Sequence, residues 1–281
     1  MHDTITETKL PYGNAIITDP LNDAGLNWSL TKVPLQCSIN NISRTVDQSA
    51  LVRDNRILLT TVPKNWKITQ NSEFVSQIEK ITKDNDISLI YGGEFKRGLQ
   101  TWFMGESNTH SFNLSDDDRV SMGLLMTNPH SYGSAFSIQC VPIRTITGVS
   151  FAFPIKSKTI VNAIAQANDM FEKFQEQVKF LNTKKFNTEK IQQYLNKVLP
   201  ALGNNQISRP SLEIIRILDD PPEGKLSLGT WWQAFNAVAY YMDFVSGIGA
   251  ETRIHSSWYG RNRKLKELAL HEALSFATLL S

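Results

Sequence analysis

After Pro154, seven apolar residues (Ile160, Ile164, Ala167, Phe171, Phe174, Val178 and Leu181) follow one another at alternating spacings of four and three. That period places all of them on one side of a single helix, predicted to run from about Lys158 to Asn182. Such a seam has to be covered. Two covers are open at this stage, a sheet of the same chain or a second copy of the chain in a coiled coil.

Upstream of Pro154 the pattern has the period of strands. Arg56–Val62 is apolar and β-branched and runs into Pro63, which cannot donate to a ladder. A helix is predicted over Ser72–Lys83, with Phe74, Val75, Ile78 and Ile81 on one face and Ser72 as its cap. Strands are predicted at Ile87–Tyr91, Gly98–Met104, Val120–Met126 and Ala135–Ile146, with a tight turn at Gly92-Gly93 and a turn-rich link over Asn128–Gly133. Beyond the long helix, further helices are predicted at Glu189–Val198, Ser211–Leu218, Thr230–Val245 and Arg263–Leu280. The resulting fold class is α+β: an antiparallel β-meander with a long helix packed across it, then a helical C-terminal half. It reads as one unit over 1–281, β-rich to 157 and helical from 158.

A chain of 281 residues with 41% hydrophobic and 20% charged residues can bury a core of ordinary composition. Its formal charge of +2 excludes a general polycation, so any nucleic-acid surface must come from local clusters of Lys and Arg. Cys37 and Cys140 lack the spacing of a disulfide framework or zinc site. Met1–Leu10 has no signal-like apolar core, and no apolar run is long enough to span a bilayer. The expected location is the cytoplasm, or the host cytoplasm if the chain is phage-encoded.

No phosphate-binding glycine loop and no paired metal-binding histidines occur, so the chain reads as a protein without cofactor, metal or catalytic residue. The run Ser115–Asp118 reads as a solvated turn, and His130 with Cys140 as a pair lacking a third orienting group. Cations beside aromatics are the more suggestive pattern, since single-stranded nucleic acid is held by cations on phosphates and by rings stacked on bases. The candidate contacts are Lys96, Arg97 and Trp102 around one hairpin, Tyr132 in the turn-rich link, and Arg144, Lys156 and Lys158 leading into the long helix. A second basic segment carries Arg253, Trp258, Arg261, Arg263 and Lys264. For each, the alternative is a solvated charge beside a core aromatic.

Several stretches resemble a family borne by phages and plasmids, known as a domain of unknown function (DUF932). Gly229-Thr230-Trp231-Trp232-Gln233-Ala234-Phe235-Asn236-Ala237-Val238 with Asp243 resembles its GT-x-W-x-x-x-NA-V helix, and Trp258-Tyr259-Gly260 its W-F-G turn. Leu26-Asn27-Trp28 with Lys32 and Pro34 is similar to its opening motif, and Asn128-Pro129-His130 with Gly133-Ser134 to its N-S-H-D-G-S turn. Ser131 stands where the family has Asp, and Thr145-Ile146-Thr147 replaces its R-V-V-C-x-N continuation. The resemblance implies a setting in replication, recombination or host takeover, and the outline is similar to single-strand annealing proteins of the RecT and Redβ kind. The resulting expectation is a single-stranded DNA-binding or annealing protein that oligomerises. The alternatives are a module that binds a host protein and an enzyme acting on nucleotides or nucleic acid.

Overall fold

The computed structural model describes residues 17–157, 159–201, 207–222, 224, 228–247 and 249–279. They form two compact units, a β unit drawn from residues up to 109 and from 124–139, and a helical unit drawn from 110–123 and from 140 onward.

The β unit begins with a one-turn helix, α1 (Pro20–Asp23), capped by the Asp19 side chain. Strands β1 (Leu30–Ile39) and β2 (Ile42–Arg53) form a long hairpin. Its turn residues, Asn40 and Asn41, have φ of 52° and 64°. Two successive left-handed residues make a turn whose twist suits the flanking strands, and asparagine tolerates that region. Strand β3 (Ile57–Pro63) adds to β2, giving the order β1-β2-β3. Leu30, Leu51 and Val62 form its small core, with Trp28, Leu59, Trp66 and Ile68 packed against them.

Helix α2 (Asn71–Asp84) buries Phe74, Val75, Ile78 and Ile81, the face that the sequence predicts. Its N-cap is Gln70 and not Ser72, and the Gln70 amide makes no cap bond. It bonds both the N–H and the carbonyl of Leu30 instead.

Strand β4 (Ile87–Phe95) runs straight through Gly92 and Gly93, which corrects the turn expected there. The reason for these glycines is close approach: a Cβ on Gly92 would lie 2.6 Å from the Phe103 ring, and one on Gly93 3.2 Å from that of Trp102. The chain reverses instead at Lys96–Gly98, where φ is 54°, 60° and 99°. Strands β5 (Gln100–Ser115), β6 (Asp118–Pro129), β7 (Ser137–Arg144), β8 (Val149–Ser150) and β9 (Phe153–Pro154) follow. The order β4-β5-β6-β7-β8, with β9 also beside β7, is the antiparallel meander that the sequence predicts. Strands β5, β6 and β7 contribute residues to both units.

In the helical unit the long helix is α3 (Ile160–Thr183), capped by the Thr159 hydroxyl on the N–H of Asn162. Six of the seven seam residues are buried together with Ala163, whereas Ile160 is 39% exposed. Phe171 meets Phe112 of β5, and Phe174 meets Phe151 and Phe153. The seam is therefore covered by its own chain. Helices α4 (Thr188–Val198), α5 (Arg209–Asp219), α6 (Trp231–Tyr240), α7 (Ala250–Tyr259) and α8 (Arg261–Thr278) complete the unit. Residues 231–239 of α6 are all buried, so this helix has neighbours on every side and not on one face alone. Trp231 stacks on Phe276 of α8, and Phe235 on Phe151. No helix among the described residues is long and apolar enough to cross a membrane.

Candidate anion-binding cleft

At the end of α6 the helix widens into a π turn, Tyr241–Val245, a form that recurs at functional sites. Asp243 lies inside it and is 2% exposed. Its carboxylate accepts from the N–H of Ser150 at 3.0 Å and from Lys266 Nζ at 2.7 Å. Lys266 Nζ also donates to the Ser150 carbonyl at 2.6 Å, and Trp258 Nε1 to the Ser150 hydroxyl at 3.3 Å. Burial pushes the Lys266 ammonium pKa down, and the Asp243 carboxylate opposes that shift. Both charges are thus satisfied internally, which is the condition for burying them.

The π turn leaves main-chain carbonyls without helical donors, and side chains from α7 and α8 take them. Arg253 Nε donates to the Asp243 carbonyl at 2.8 Å, and Asn262 Nδ2 to that of Met242 at 3.0 Å. Asn262 Nδ2 also reaches the Ser246 hydroxyl, and the Asn262 N–H donates to the Ser256 hydroxyl at 3.1 Å. These bonds fix one wall of a cleft of about 260 Å³. Arg253, Ser256, Arg261 and Asn262 supply its polar lining; Leu199, Pro210 and Leu265 supply apolar lining, beside the Tyr241 ring. Burial and the Glu213 carboxylate raise the Tyr241 phenol pKa, with Arg209 acting the other way. Among the described residues neither Arg253 nor Arg261 has a carboxylate partner, whereas Glu213 is bound to Arg216 at 2.9 Å. Among the described residues the cleft therefore presents two guanidinium groups without a carboxylate partner, one of them held through Nε.

The candidates from sequence divide sharply. Arg253 and Arg261 line the cleft, Lys264 is exposed, and Arg263 is bound to Glu267 at 3.1 Å. Trp258 is 0% exposed and belongs to the core, which corrects its assignment as a contact residue. Arg144 is corrected likewise: it is fully buried, with Nε and Nη2 on the two oxygens of Asp118 at 2.7 and 2.6 Å and Trp232 against the guanidinium. Asp116 and Asp117 form the solvated turn expected of that run, but Asp118 does not. Trp102 is also buried, stacked on Phe95. Lys96, Arg97, Tyr132 and Lys156 are exposed, and Lys158 lies outside the described residues.

The β unit holds a second polar centre, which burial makes structural. His130 is 0% exposed, and its Nε2 lies 3.1 Å from Asn71 Oδ1. Asn71 Nδ2 donates to the Leu26 carbonyl, so Asn71 Oδ1 is the acceptor and His130 Nε2 carries the proton. Nδ1 has no partner among the described residues. Burial pushes the imidazole down to about 4, so it is neutral at pH 7. The Trp28 ring meets His130 edge-on and carries the Arg53 guanidinium at 4.2 Å. Glu94 binds both Trp28 Nε1 and Arg53.

The turn histidine and its asparagine lie in the stretch that similarity recognises. Residues 58–147 match the DUF932 family, a domain of unknown function. The DUF932 segment contains Asn71, Glu94, Asp118, His130 and Arg144, and so both the histidine centre's acid and amide and the complete Arg144–Asp118 pair. The resemblance read from the sequence is borne out over this stretch, which includes the Asn128–Ser134 turn. The other motifs that suggested it, at Leu26–Pro34, Gly229–Asp243 and Trp258–Gly260, lie outside the match. No curated protein and no solved structure matches the chain.

Proposed function

We propose that the chain binds single-stranded DNA, with phosphate contacts from Arg253 and Arg261, and that it serves annealing or recombination of a phage or mobile element in the cytoplasm, as an oligomer. The observation that carries this reading is the cleft lined by two guanidinium groups, neither of which has a carboxylate partner among the described residues. Phosphate oxygens are the natural complement of such groups, and arginine's planar fork suits them. Exposed Lys96, Arg97, Lys156 and Lys264 are further cations, and exposed Tyr132 is a ring available for stacking. The test is fluorescence anisotropy of a labelled oligothymidylate at low salt. Saturable binding that weakens in Arg253→Gln and Arg261→Gln supports the proposal, and no binding at low salt removes it.

One observation favours the second reading, a module for a host protein. Ile39 and Ile42 face each other at the tip of the β1–β2 hairpin and are 55% and 59% exposed. Capture of one stoichiometric host protein that Ile39→Asp abolishes, without any affinity for DNA, would decide for it.

A further inference from the structure

We infer that the cleft takes the terminal phosphomonoester of one nucleotide, with its base against the apolar wall, and not an internal stretch of backbone. This rests on the phosphate-binding reading of Arg253 and Arg261 given above.

Size is the first argument. At about 260 Å³ the cleft lies just below the range of small-molecule sites, roughly 300–1,000 Å³, and suits one small ligand. A groove that tracks a strand spans about 4–16 nucleotides instead.

Charge is the second. An internal phosphodiester carries one negative charge, whereas a terminal phosphate carries about −1.5 to −2 at pH 7. Two guanidinium groups on one small cleft repel each other unless both are balanced, and only the terminal group balances both. The nearby acid, Glu213, is already bound to Arg216. Asp243 is neutralised by Lys266.

Preorganisation is the third. Arg253 spends Nε on the Asp243 carbonyl, and its two Nη groups have no partner among the described residues. The bond holds the fork in place before a ligand arrives, which lowers the entropy lost on binding. In the same cleft, Tyr241 with Leu199, Pro210 and Leu265 offers apolar lining on which a base can lie.

The same chemistry is found at the end of a strand and in a free nucleotide, so the experiment separates them. Anisotropy is measured on labelled oligothymidylate in four forms: 5′-phosphorylated, 3′-phosphorylated, hydroxyl-ended, and closed into a circle. Thymidine 5′-monophosphate serves as competitor. The expected result is that at least one phosphorylated form binds about tenfold or more tighter than the hydroxyl-ended and circular forms. The monophosphate should compete for that advantage, and Arg261→Gln, altered at an exposed position, should erase it. Arg253→Gln is the second variant. Equal affinity for all four forms overturns the inference and leaves the single-strand reading standing. Binding of the monophosphate without any oligonucleotide keeps the terminal-phosphate pocket and removes the single-strand reading. A preference for phosphorylated ends that survives in both variants removes the cleft as its seat.

Discussion

Lys266 Nζ donates to Asp243 Oδ1 at 2.7 Å with both side chains at most 3% exposed, and this pair fixes the turn from which the cleft is built. Asp243 holds Ser150 through its carboxylate and Arg253 through its carbonyl, so one residue ties β8 to α7. Removing Lys266 leaves an unpaired carboxylate in the core. Lys266→Met should therefore cost about 3–5 kcal/mol in urea unfolding. The double variant Lys266→Met with Asp243→Leu should recover much of that loss, because no charge is then stranded. A Lys266→Met protein as stable as the parent would mean that Asp243 finds another partner.

The second buried pair makes a separable prediction. Arg144→Met strands the Asp118 carboxylate, which is 1% exposed, and should also destabilise by about 3–5 kcal/mol. Arg144→Lys should not rescue it fully, because a lysine cannot reproduce the two parallel bonds to the carboxylate. If Arg144→Met weakened DNA binding while unfolding at the same urea concentration as the parent, the arginine would be a contact residue after all.

His130 gives stability a pH dependence. Its folded pKa of about 4 lies below the 6.5 of an unfolded histidine, because burial disfavours the charged ring. Below pH 6.5 the unfolded chain takes up a proton that the native ring refuses, so stability falls as the pH drops from about 6.5 to about 4. The loss should approach about 3 kcal/mol at the lower end and then level off. Urea titrations of parent and His130→Gln across this window check it. The variant should show the flatter acid limb, and equal slopes would mean that the ring is reached by water or a counter-ion.

Periodicity made the main elements legible, and long-range partnership did not. The α3 seam is readable because a helix repeats its contacts every turn; all of its residues but Ile160 are buried. Gly92 and Gly93 mislead because a glycine pair marks either a left-handed turn or a close approach. Only the partner strand, which lays Phe103 and Trp102 there, tells which. Arg144 reads as a surface cation because Asp118, 26 residues away, declares itself in sequence only as part of an acidic run. The β1–β2 hairpin had a usable local signal in Asn40-Asn41, whose adjacent asparagines favour left-handed backbone. Helix α7 escapes notice because its buried Ile254, Ser257 and Trp258 are few and lie among Arg253, His255 and Ser256. The cleft assembles residues from Leu199 to Leu265, and no local pattern announces such a set.

The central claim, phosphate recognition by Arg253 and Arg261, is tested most directly by the salt dependence of binding of terminally phosphorylated oligothymidylate in parent and Arg261→Gln. Each phosphate contact on a single strand contributes about 0.7 to the slope of log affinity against log salt. Arg261 makes no ion pair among the described residues, so its loss should leave the urea midpoint within experimental error while flattening the slope by about that amount. An unchanged slope and affinity in Arg261→Gln, with the parent binding tightly, would contradict the account.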